Sequence, residues 1–364
     1  MKKKAFNYLL IIITFFSSVS YLFSSAIPLM QGVNFWLLSF LALAFPYSFL
    51  LQFLIGIVWL FVHKKRALFV FLILVPGLQQ ITSVFSFKFS SIENSATEPN
   101  VIRILSWNVS RWDERNKKKR GGVSFRPLML DYIKIQNADI LCFQEFFECI
   151  APEYFEENIP EIKKMGYPYV YFTPSSKLFE NKFQYGLCIF SRFPITDSGF
   201  MNPVPGIHSE GISFADIALE NSTIRIFNSH LESPGLTKND FNNDGTAKVS
   251  GTTVAKIKNA YDLRYKQAEY LNNAVKESPY PVVLCLDMND VPTSNIYYKV
   301  RNNLCDAFLE KGTGIGKTYR FLSPFMRIDY LFTDPSLSLL TAEIGQCTYS
   351  DHFPVLVSFS EKTQ

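Results

Sequence analysis

Eight acids, amides and histidines stand at or near the ends of apolar runs in the last two-thirds of the chain. They are Asn108, Glu145, His230, Asp287, Asn289, Asp329, Asp351 and His352. Strand ends are rigid positions that can hold polar groups in a fixed geometry, as a catalytic site requires. Asp329 is the most informative of them, because an acid inside an apolar run (residues 327–332) needs a partner to offset the cost of its desolvation.

These residue types suit one kind of chemistry. Carboxylate and amide oxygens, without clustered cysteines or histidines, favour a hard cation such as Mg²⁺ or Mn²⁺ over zinc. Such a cation neutralises phosphate charge, a carboxylate can position water, and a histidine can protonate a leaving oxygen. The set therefore predicts metal-dependent hydrolysis of a phosphate ester. Each residue alone also suits a turn, a cap or, for His230, a structural histidine, and only their joint occurrence favours catalysis.

Short β-rich runs precede most of these residues, and helical patterns lie between some of them. The predicted strands cover residues 102–107, 140–143, 186–190, 213–219, 224–228, 282–286, 330–332 and 355–359. The predicted helices cover residues 125–136, 261–276 and 295–302. Several strand pairs have turn-length connections, which favours two mixed β-sheets with flanking helices, an α/β (α+β) fold, over a purely parallel sheet. The polar stretch 233–253 is predicted to be a long surface loop.

The first 88 residues have a composition typical of a membrane region. No charged side chain occurs from Ala5 to Val62, a run of 58 residues that is too long for one span of about 20 residues. Polar residues at 31–34 divide the run into segments 6–30 and 35–62, and a third uncharged run covers residues 67–87. We therefore predict three transmembrane helices within residues 1–88, a linker at residues 89–99 and a catalytic domain at residues 100–364.

Basic residues decide the predicted orientation, because Lys and Arg mark the cytoplasmic side of a membrane. The clusters at residues 2–4 and 64–66 lie inside by this rule, so the third helix places residues 88–364 on the outer face. The prediction is an integral protein of a bacterial inner membrane with a periplasmic catalytic domain. In the alternative, the first segment is a signal peptide cleaved near Ala26, and the later helices still place the C-terminal domain outside.

Composition and charge exclude two classes of protein. With 48% hydrophobic residues, the chain is neither disordered nor collagen-like. Its formal net charge of +4 comes from residues 1–98, which hold seven basic and two acidic side chains. Residues 99–364 hold 29 basic and 30 acidic ones, so the charge gives no evidence for a nucleic-acid-binding surface.

The order of six short motifs resembles the endonuclease/exonuclease/phosphatase superfamily, also called deoxyribonuclease-I-like. The motifs are Trp107-Asn108-Val109, Phe143-Gln144-Glu145, His230-Leu231, Leu286-Asp287-Met288-Asn289-Asp290, Arg327-Ile328-Asp329-Tyr330 and Ser350-Asp351-His352-Phe353-Pro354. Residues 185–195 (YGLCIFSRFPI) also resemble a strand of that family, and the resemblance covers about residues 100–360. It implies a four-layer sandwich of two mixed β-sheets with helices outside and one active site at the strand ends.

The resemblance also implies catalytic roles. Asp287 would orient or deprotonate the attacking water, helped by Asn289, which also contacts phosphate. His352, held by Asp329, would stabilise the transition state or act as an acid or base. His230 would contact phosphate or protonate the leaving group.

The same resemblance implies a metal site for Mg²⁺ or Mn²⁺. Glu145 would be the principal ligand, with Asn108 nearby, where it also contacts substrate, and Asp351 contributing. Two features depart from the family pattern. Leu286 replaces the glycine of the usual Gly-Asp-Phe-Asn, which adds bulk beside the site, and the sequence does not identify an acid to pair with His230.

The leading hypothesis is a membrane-anchored, metal-dependent phosphoesterase that hydrolyses phosphodiesters. Nucleic acid and a phospholipid headgroup are equally open as substrates, and a small phosphate ester is the third possibility. The competing hypothesis is a catalytically inactive membrane scaffold or binding protein with the same fold, against which the intact set of site residues argues. The lipid bilayer is the expected partner of the N-terminal helices, whose second possible role is an interface with a protein partner, and the sequence does not identify that partner.

Overall fold

A computed structural model of the protein describes residues 2–88, 100–236, 240 and 250–361. The α-helices in these ranges are α1 (Lys2–Ser25), α2 (Leu37–Val62), α3 (Lys64–Leu74), α4 (Leu78–Val84), α5 (Arg126–Gln136), α6 (Ile159–Lys164), α7 (Gly251–Lys276), α8 (Asn295–Arg301) and α9 (Ala307–Lys311). The strands are β1 (Ile102–Asn108), β2 (Ile140–Cys149), β3 (Tyr169–Leu178), β4 (Phe183–Ser191), β5 (Ile195–Met201), β6 (Gly211–Ala218), β7 (Thr223–His230), β8 (Val282–Asp287), β9 (Cys305–Asp306), β10 (Asp329–Thr333), β11 (Leu337–Ile344) and β12 (Val355–Glu361).

Three helical stretches near the N-terminus are long and apolar enough to cross a membrane. They are Lys3–Ser25, Leu37–Val62 and Lys64–Val84, in agreement with the three predicted segments. The third consists of α3 and α4, joined by a 3₁₀ turn at Val75–Gly77. Pro76 accounts for this interruption, since proline has no backbone N–H to continue an α-helix. The predicted linker, residues 89–99, lies outside the described residues.

Two six-stranded sheets form the rest of the fold. The first has the order β11-β12-β1-β2-β4-β3 and the second the order β5-β6-β7-β8-β10-β9. The pairs β1–β2 and β7–β8 are parallel, and the other described pairs are antiparallel. Both sheets are therefore mixed, as predicted.

The sheets pack face to face with helices on their outer faces, which gives the predicted four layers. Ile104 and Val357 of the first sheet lie in one apolar cluster with Ile226 and Val283 of the second. Helix α5 covers the outer face of the first sheet, and helices α7 and α8 cover that of the second. Full burial of each aliphatic side chain of this size contributes about 1.5–3 kcal/mol, so these layers fix the strand ends on which a site depends.

The strands that the sequence pattern failed to predict are β3, β5, β9 and β11. They are the four edge strands of the two sheets. An edge strand is solvated along one side, so its sequence carries more polar residues and a weaker apolar signal. Strand β5, for example, reads ITDSGFM and is mostly exposed or half-buried.

The prediction of a surface loop at residues 233–253 is wrong at its end. Helix α7 begins at Gly251, ten residues before the predicted start, because the Ser250 side chain accepts a hydrogen bond from the backbone N–H of Thr253 and caps the helix. Most of the predicted loop, residues 237–239 and 241–249, lies outside the described residues.

Candidate active site

The predicted site residues come together at one end of both sheets. Asn108 ends β1 and Glu145 lies within β2, next to it in the first sheet. In the second sheet the register pairs Asp287 of β8 with His230 of β7 on one side and with Asp329 of β10 on the other. The backbone register therefore fixes which side chains flank Asp287.

Asp287 lies at the centre of the cluster and is fully buried. Its Oδ2 atom accepts a hydrogen bond of 2.9 Å from the side-chain amide of Asn108. The same oxygen lies 3.6 Å from Nε2 of His230 and 3.7 Å from Nδ1 of His352. One carboxylate oxygen thus faces an amide donor and two imidazole rings.

His352 is held by Asp329, as the resemblance implies. Its Nδ1 lies 3.0 and 2.9 Å from the two carboxylate oxygens of Asp329, and its backbone carbonyl accepts a hydrogen bond from the Trp107 indole. Burial by itself lowers the pKa of His352, but the charges of Asp329 and Asp287 raise that pKa well above its usual value. The two carboxylates therefore favour the protonated ring, and its Nε2 is the nitrogen that can serve a ligand.

Glu210 is the acidic partner of His230 that the sequence did not identify. Its Oε2 lies 3.2 Å from Nδ1 of His230 and accepts a hydrogen bond of 2.8 Å from the backbone N–H of Glu145. Burial lowers the pKa of His230, whereas Asp287, Glu210 and Glu145 raise it, with a net result of about 9. His230 is therefore a cation held by two carboxylates.

The position of Glu210 is set by the start of β6, which directly follows it in the sequence. The predicted strand begins at residue 213, whereas β6 begins at Gly211, which pairs directly with His230. Gly211 has a φ of +85°, and a side chain there would meet the Phe200 ring at 2.8 Å. Only glycine adopts this backbone turn without strain, and the turn directs the preceding glutamate to His230.

Glu145 lies at a bulge in β2, where the pairing with β4 shifts between Phe143 and Phe146. Its φ is +48°, a left-handed conformation that is uncommon outside glycine and is found at functional sites. The side chain is 29% exposed and lies 3.5 Å from Nε of Arg111 and from the Asn108 amide nitrogen. The bulge thus turns the carboxylate out of the core toward solvent at this end of the sheets.

The negative charges in the cleft fit a hard cation. Desolvation raises the pKa of Glu145, His230 and Arg111 oppose the rise, and Glu210 and Asp351 add to it. A bound cation would relieve this repulsion between like charges, and carboxylate oxygens are the ligands that Mg²⁺ prefers. The residues at the Glu145 end of the cleft therefore fit the predicted ion.

A second group of ligand atoms has a different character. Asp287, Asp329 and His352 each offer an atom within 4.8 Å of the others. The Nδ1 of His352 is already engaged by the Asp329 carboxylate, however, and an N–H that donates to a carboxylate has no lone pair to offer a metal. This group is better described as a hydrogen-bonded acid–histidine cluster.

Three predicted site residues make contacts within the fold. The Oδ1 of Asn108 accepts from the backbone N–H of Ser110, so its amide nitrogen, rather than its oxygen, faces the carboxylates. Asn289 has a φ of +53° and donates from its side chain to the carbonyl of Leu231. Asp351 is half-buried and accepts from the hydroxyl of Ser350.

The leucine that replaces the family glycine does not crowd the site. Leu286 is fully buried in the apolar cluster between the second sheet and helix α7. Successive side chains of a strand point to opposite faces, so Leu286 points away from the face that presents Asp287. The expectation of added bulk beside the site is therefore wrong.

Arg111 and Tyr319 are further site residues that the sequence did not predict. Arg111 lies in a left-handed turn in which residues 110–113 have φ between 46° and 59°, and its guanidinium lies over the Tyr185 ring at 4.5 Å. The Tyr319 ring lies 5.1 Å from that of His352. Burial, followed by the charges of Asp351, Asp287 and Glu145, raises the pKa of Tyr319 to about 12.

Two mixed sheets with a cleft of carboxylates and histidines at one end define the class, a four-layer sandwich of the deoxyribonuclease-I type. The chain belongs to the endonuclease/exonuclease/phosphatase family, whose model matches residues 105–352. Members of this family hydrolyse phosphate esters and typically depend on divalent metal ions. Residues 7–84 separately match a family described as a domain of unknown function.

Solved structures with this fold come from distant relatives. An endonuclease/exonuclease/phosphatase from Beutenbergia cavernae is 18% identical, with a TM-score of 0.52 over 72% of each chain. The human Nocturnin catalytic domain with bound sulfate anion is 19% identical, with a TM-score of 0.51 over 73% of this chain and 95% of that one. A family protein from Bacteroides thetaiotaomicron is 17% identical, with a TM-score of 0.53 over 73% of this chain and all (100%) of that one. The comparison with curated proteins found no match.

Proposed function

We propose that the protein is a membrane-anchored, divalent-metal-dependent phosphodiester hydrolase. The observation that carries the proposal is the position of Asp287 between two carboxylate-paired histidines. Its Oδ2 lies 3.6 Å from His230 and 3.7 Å from His352, and these rings are held by Glu210 and Asp329 respectively. A base flanked by two imidazolium groups suits the transfer of a proton from water and of another proton to a leaving oxygen.

In the proposed reaction, water attacks phosphorus while Asp287 takes one of its protons. A new bond forms between phosphorus and the water oxygen, and the bond from phosphorus to the leaving oxygen breaks. His230 donates a proton to that leaving oxygen, and His352 stabilises the negative charge that develops on the phosphoryl oxygens. Asn108 donates a hydrogen bond that orients Asp287, and Asn289 is the proposed second contact to phosphate.

We assign the metal site to Glu145 and Asp351, with Asn108 beside Glu145. Asn108 would bind the ion through Oδ1, which accepts a hydrogen bond from the backbone N–H of Ser110, so this ligand requires its side-chain amide to turn. Mg²⁺ or Mn²⁺ bound there would neutralise phosphate charge and polarise the phosphoryl group. Desolvation raises the pKa of Glu145, and the charges of Glu210 and Asp351 add to the rise, so a cation bound there would relieve both effects, which supports this assignment.

We infer that residues 1–88 anchor the enzyme in a bacterial inner membrane, that residues 89–99 link it, and that residues 100–364 form the catalytic domain on the periplasmic side. Three helices long and apolar enough to span a bilayer support the anchor. The basic residues at 2–4 and 64–66 support the orientation, because they place the connection between the second and third helices inside.

The test uses the full chain in detergent with bis(4-nitrophenyl) phosphate and Mg²⁺ or Mn²⁺. We expect turnover that stops with EDTA and returns when the metal is restored. Glu145→Ala and His352→Ala should abolish it, whereas Glu161→Gln, a change at an exposed acid of α6, should not. Full activity in both site variants, or activity that survives EDTA, would disprove the proposal.

A further inference from the structure

The outer ends of the N-terminal helices pack directly on the segments that carry the catalytic residues. The hydroxyl of Thr293 donates to the carbonyl of Ala42 in α2 at 2.7 Å, and the guanidinium of Arg327 donates to the carbonyl of Ser83 in α4 at 2.8 Å. Thr293 follows Asn289 by four residues, and Arg327 precedes Asp329 by two. Both donors are almost fully buried, so the site lies on the side of the sandwich that faces the membrane helices.

An apolar cluster fills the same junction. Ile27, Leu38 and Ala42 from the N-terminal region pack with Val291 and Ile328, the neighbours of the catalytic segments. Tyr319 and Met326 are partly buried against this cluster. Because the Tyr319 ring also contacts His352, one side chain joins the membrane helices to the catalytic centre.

The loop at residues 319–326 extends from the catalytic centre to the second membrane helix. At its far end the Ser323 hydroxyl lies 2.6 Å from that of Tyr47, and the Phe325 ring lies 5.4 Å from the Tyr47 ring. Phe321 and Leu322 lie in the loop between Tyr319, which contacts His352, and Ser323, which contacts Tyr47. Their side chains are 54% and 63% exposed. Two neighbouring large apolar side chains thus face outward beside the site.

The position of Tyr47 along α2 gives the height of this loop. Tyr47 lies 16 residues before His63, which follows the last residue of α2, so at about 1.5 Å per residue it lies about 24 Å above the basic cluster at 64–66. The hydrocarbon core of a bilayer is about 30 Å thick, and Tyr is enriched at its boundaries. Tyr47 therefore lies just inside the outer boundary of the hydrocarbon core, about 6 Å below it. The loop that contacts Tyr47 lies at the same level, where Phe321 and Leu322 meet acyl chains.

We propose that the active site takes its substrate from the membrane, as the phosphate ester of a lipid headgroup in the outer leaflet, and that Phe321 and Leu322 insert into that leaflet beside it. This inference rests on the proposed function and names its substrate class. A lipid phosphate at the surface reaches the catalytic centre without leaving the bilayer. The products are the two halves of the headgroup ester, one with the phosphate and one with the alcohol that accepts the proton.

The first experiment reconstitutes the full chain in vesicles of phosphatidylethanolamine and phosphatidylglycerol with Mg²⁺. Loss of lipid phosphodiester is followed by ³¹P NMR, and bis(4-nitrophenyl) phosphate and a single-stranded oligonucleotide are assayed in parallel. We expect hydrolysis of lipid and of the aryl diester, with the oligonucleotide intact. Cleavage of the oligonucleotide without lipid hydrolysis would overturn the inference and leave the proposed function standing. If the aryl diester is not hydrolysed either, both this inference and the proposed function are wrong.

A matched pair of variants tests the loop. In Phe321→Ser/Leu322→Ser we expect the ratio of lipid to aryl diester hydrolysis to fall about tenfold or more, because two large apolar side chains leave the bilayer. Ile135→Ser changes an apolar side chain that is even more exposed, at 76%, in the last turn of α5 at the end of the sandwich away from the site, and should leave the ratio unchanged. An unchanged ratio in the double variant contradicts the proposal.

Depth can be measured without activity. Leu322→Cys carries an environment-sensitive fluorophore, and vesicles contain lipids with a spin label near the headgroup. Labelling is compared with the parent chain, whose six cysteines are buried apart from the half-buried Cys305. We expect quenching at position 322 and none in the matched Ile135→Cys variant, and equal quenching of the two would overturn the insertion.

Discussion

The Oε2 atom of Glu210 lies 3.2 Å from Nδ1 of His230. Asp329 holds Nδ1 of His352 in the same manner at 2.9 Å. Asp287 lies between the two pairs and is within 3.7 Å of both rings. A carboxylate behind each imidazole fixes its orientation and favours its charged form. The site thus contains two acid–histidine pairs around Asp287, which His230 faces with Nε2 and His352 with Nδ1, and the two pairs can be tested separately.

Glu210→Gln is expected to lower the pKa of His230 from about 9 toward its ordinary value, because one of the carboxylates that stabilise the imidazolium is gone. The folded-state pKa of His230 lies above its unfolded value. The pairing therefore contributes stability that is fully present below about pH 6.5 and is lost as the pH rises through about 9. NMR titration of the metal-free protein in EDTA measures the shift directly.

Glu220→Gln is the matched control for this prediction. Glu220 is exposed just beyond the other end of β6. The Glu220→Gln substitution should leave the pKa of His230 unchanged. A pKa of His230 that stays near 9 in Glu210→Gln would show that Asp287 and Glu145 stabilise the imidazolium without Glu210.

Asp329→Asn is expected to reduce kcat about 10²–10⁴-fold, the usual contribution of a positioned acid or base. The asparagine keeps the shape of the side chain but removes the charge that raises the pKa of His352. The His352 imidazolium then loses its proton at a lower pH, so the basic limb of the pH–rate profile should move to lower pH. A variant with reduced kcat but an unshifted profile would show that Asp329 only positions the ring.

Part of this site follows from the sequence for a physical reason. Asn108, Glu145, Asp287 and Asp329 interrupt interior strands that are apolar on both faces, and a polar residue there is conspicuous. The edge strand β5 carries no such contrast, because its exposed side tolerates polar residues anyway.

The rest of the site depends on information that a local pattern does not contain. Glu210 reaches His230 through the β6–β7 register and a glycine turn, and Arg111 reaches the Glu145 side chain through a left-handed turn. Tyr319 meets His352 across 33 residues of sequence. Such contacts are tertiary, so the residue types alone give no sign of them.

Glu148, which is not one of the candidate site residues, is expected to make the stability of the fold depend on pH. Burial raises its pKa to about 7, although the backbone N–H groups of Ile159 and Asn158 oppose the rise. Between about pH 4.5 and 7 the folded chain then binds more protons at this site than the unfolded chain. The free energy of unfolding should therefore fall as the pH rises through this window, by up to about 3 kcal/mol.

Melting temperatures of Glu148→Gln and the parent chain across this range check the prediction. The variant has no carboxyl to titrate, so its melting temperature should change less between pH 4.5 and 7. The exposed Glu153, whose charge does not contribute to the shift of Glu148, offers a control in Glu153→Gln. Parallel curves for Glu148→Gln and the parent would contradict the assignment.

Arg327→Met is expected to destabilise the junction between the N-terminal helices and the sandwich. Arg327 is buried and donates to both carboxylate oxygens of Asp306, at 3.0 and 2.7 Å, as well as to the carbonyl of Ser83. Removing one partner of a buried pair leaves the other charge uncompensated, which typically costs about 3–5 kcal/mol. We expect a lower melting temperature of the full chain in detergent and, because Arg327 lies two residues from Asp329, a reduced kcat.

The double variant Arg327→Met/Asp306→Asn separates charge from contact in this prediction. Asparagine still accepts from the backbone N–H groups of Phe308 and Leu309, which Asp306 caps, but it carries no charge. Stability should therefore recover in part, while the hydrogen bond to Ser83 stays lost. If kcat recovers together with stability, the buried charge alone disturbs the site. If stability recovers and kcat does not, the contact with α4 itself positions the Asp329 segment, which is the result expected of a site that packs against the N-terminal helices.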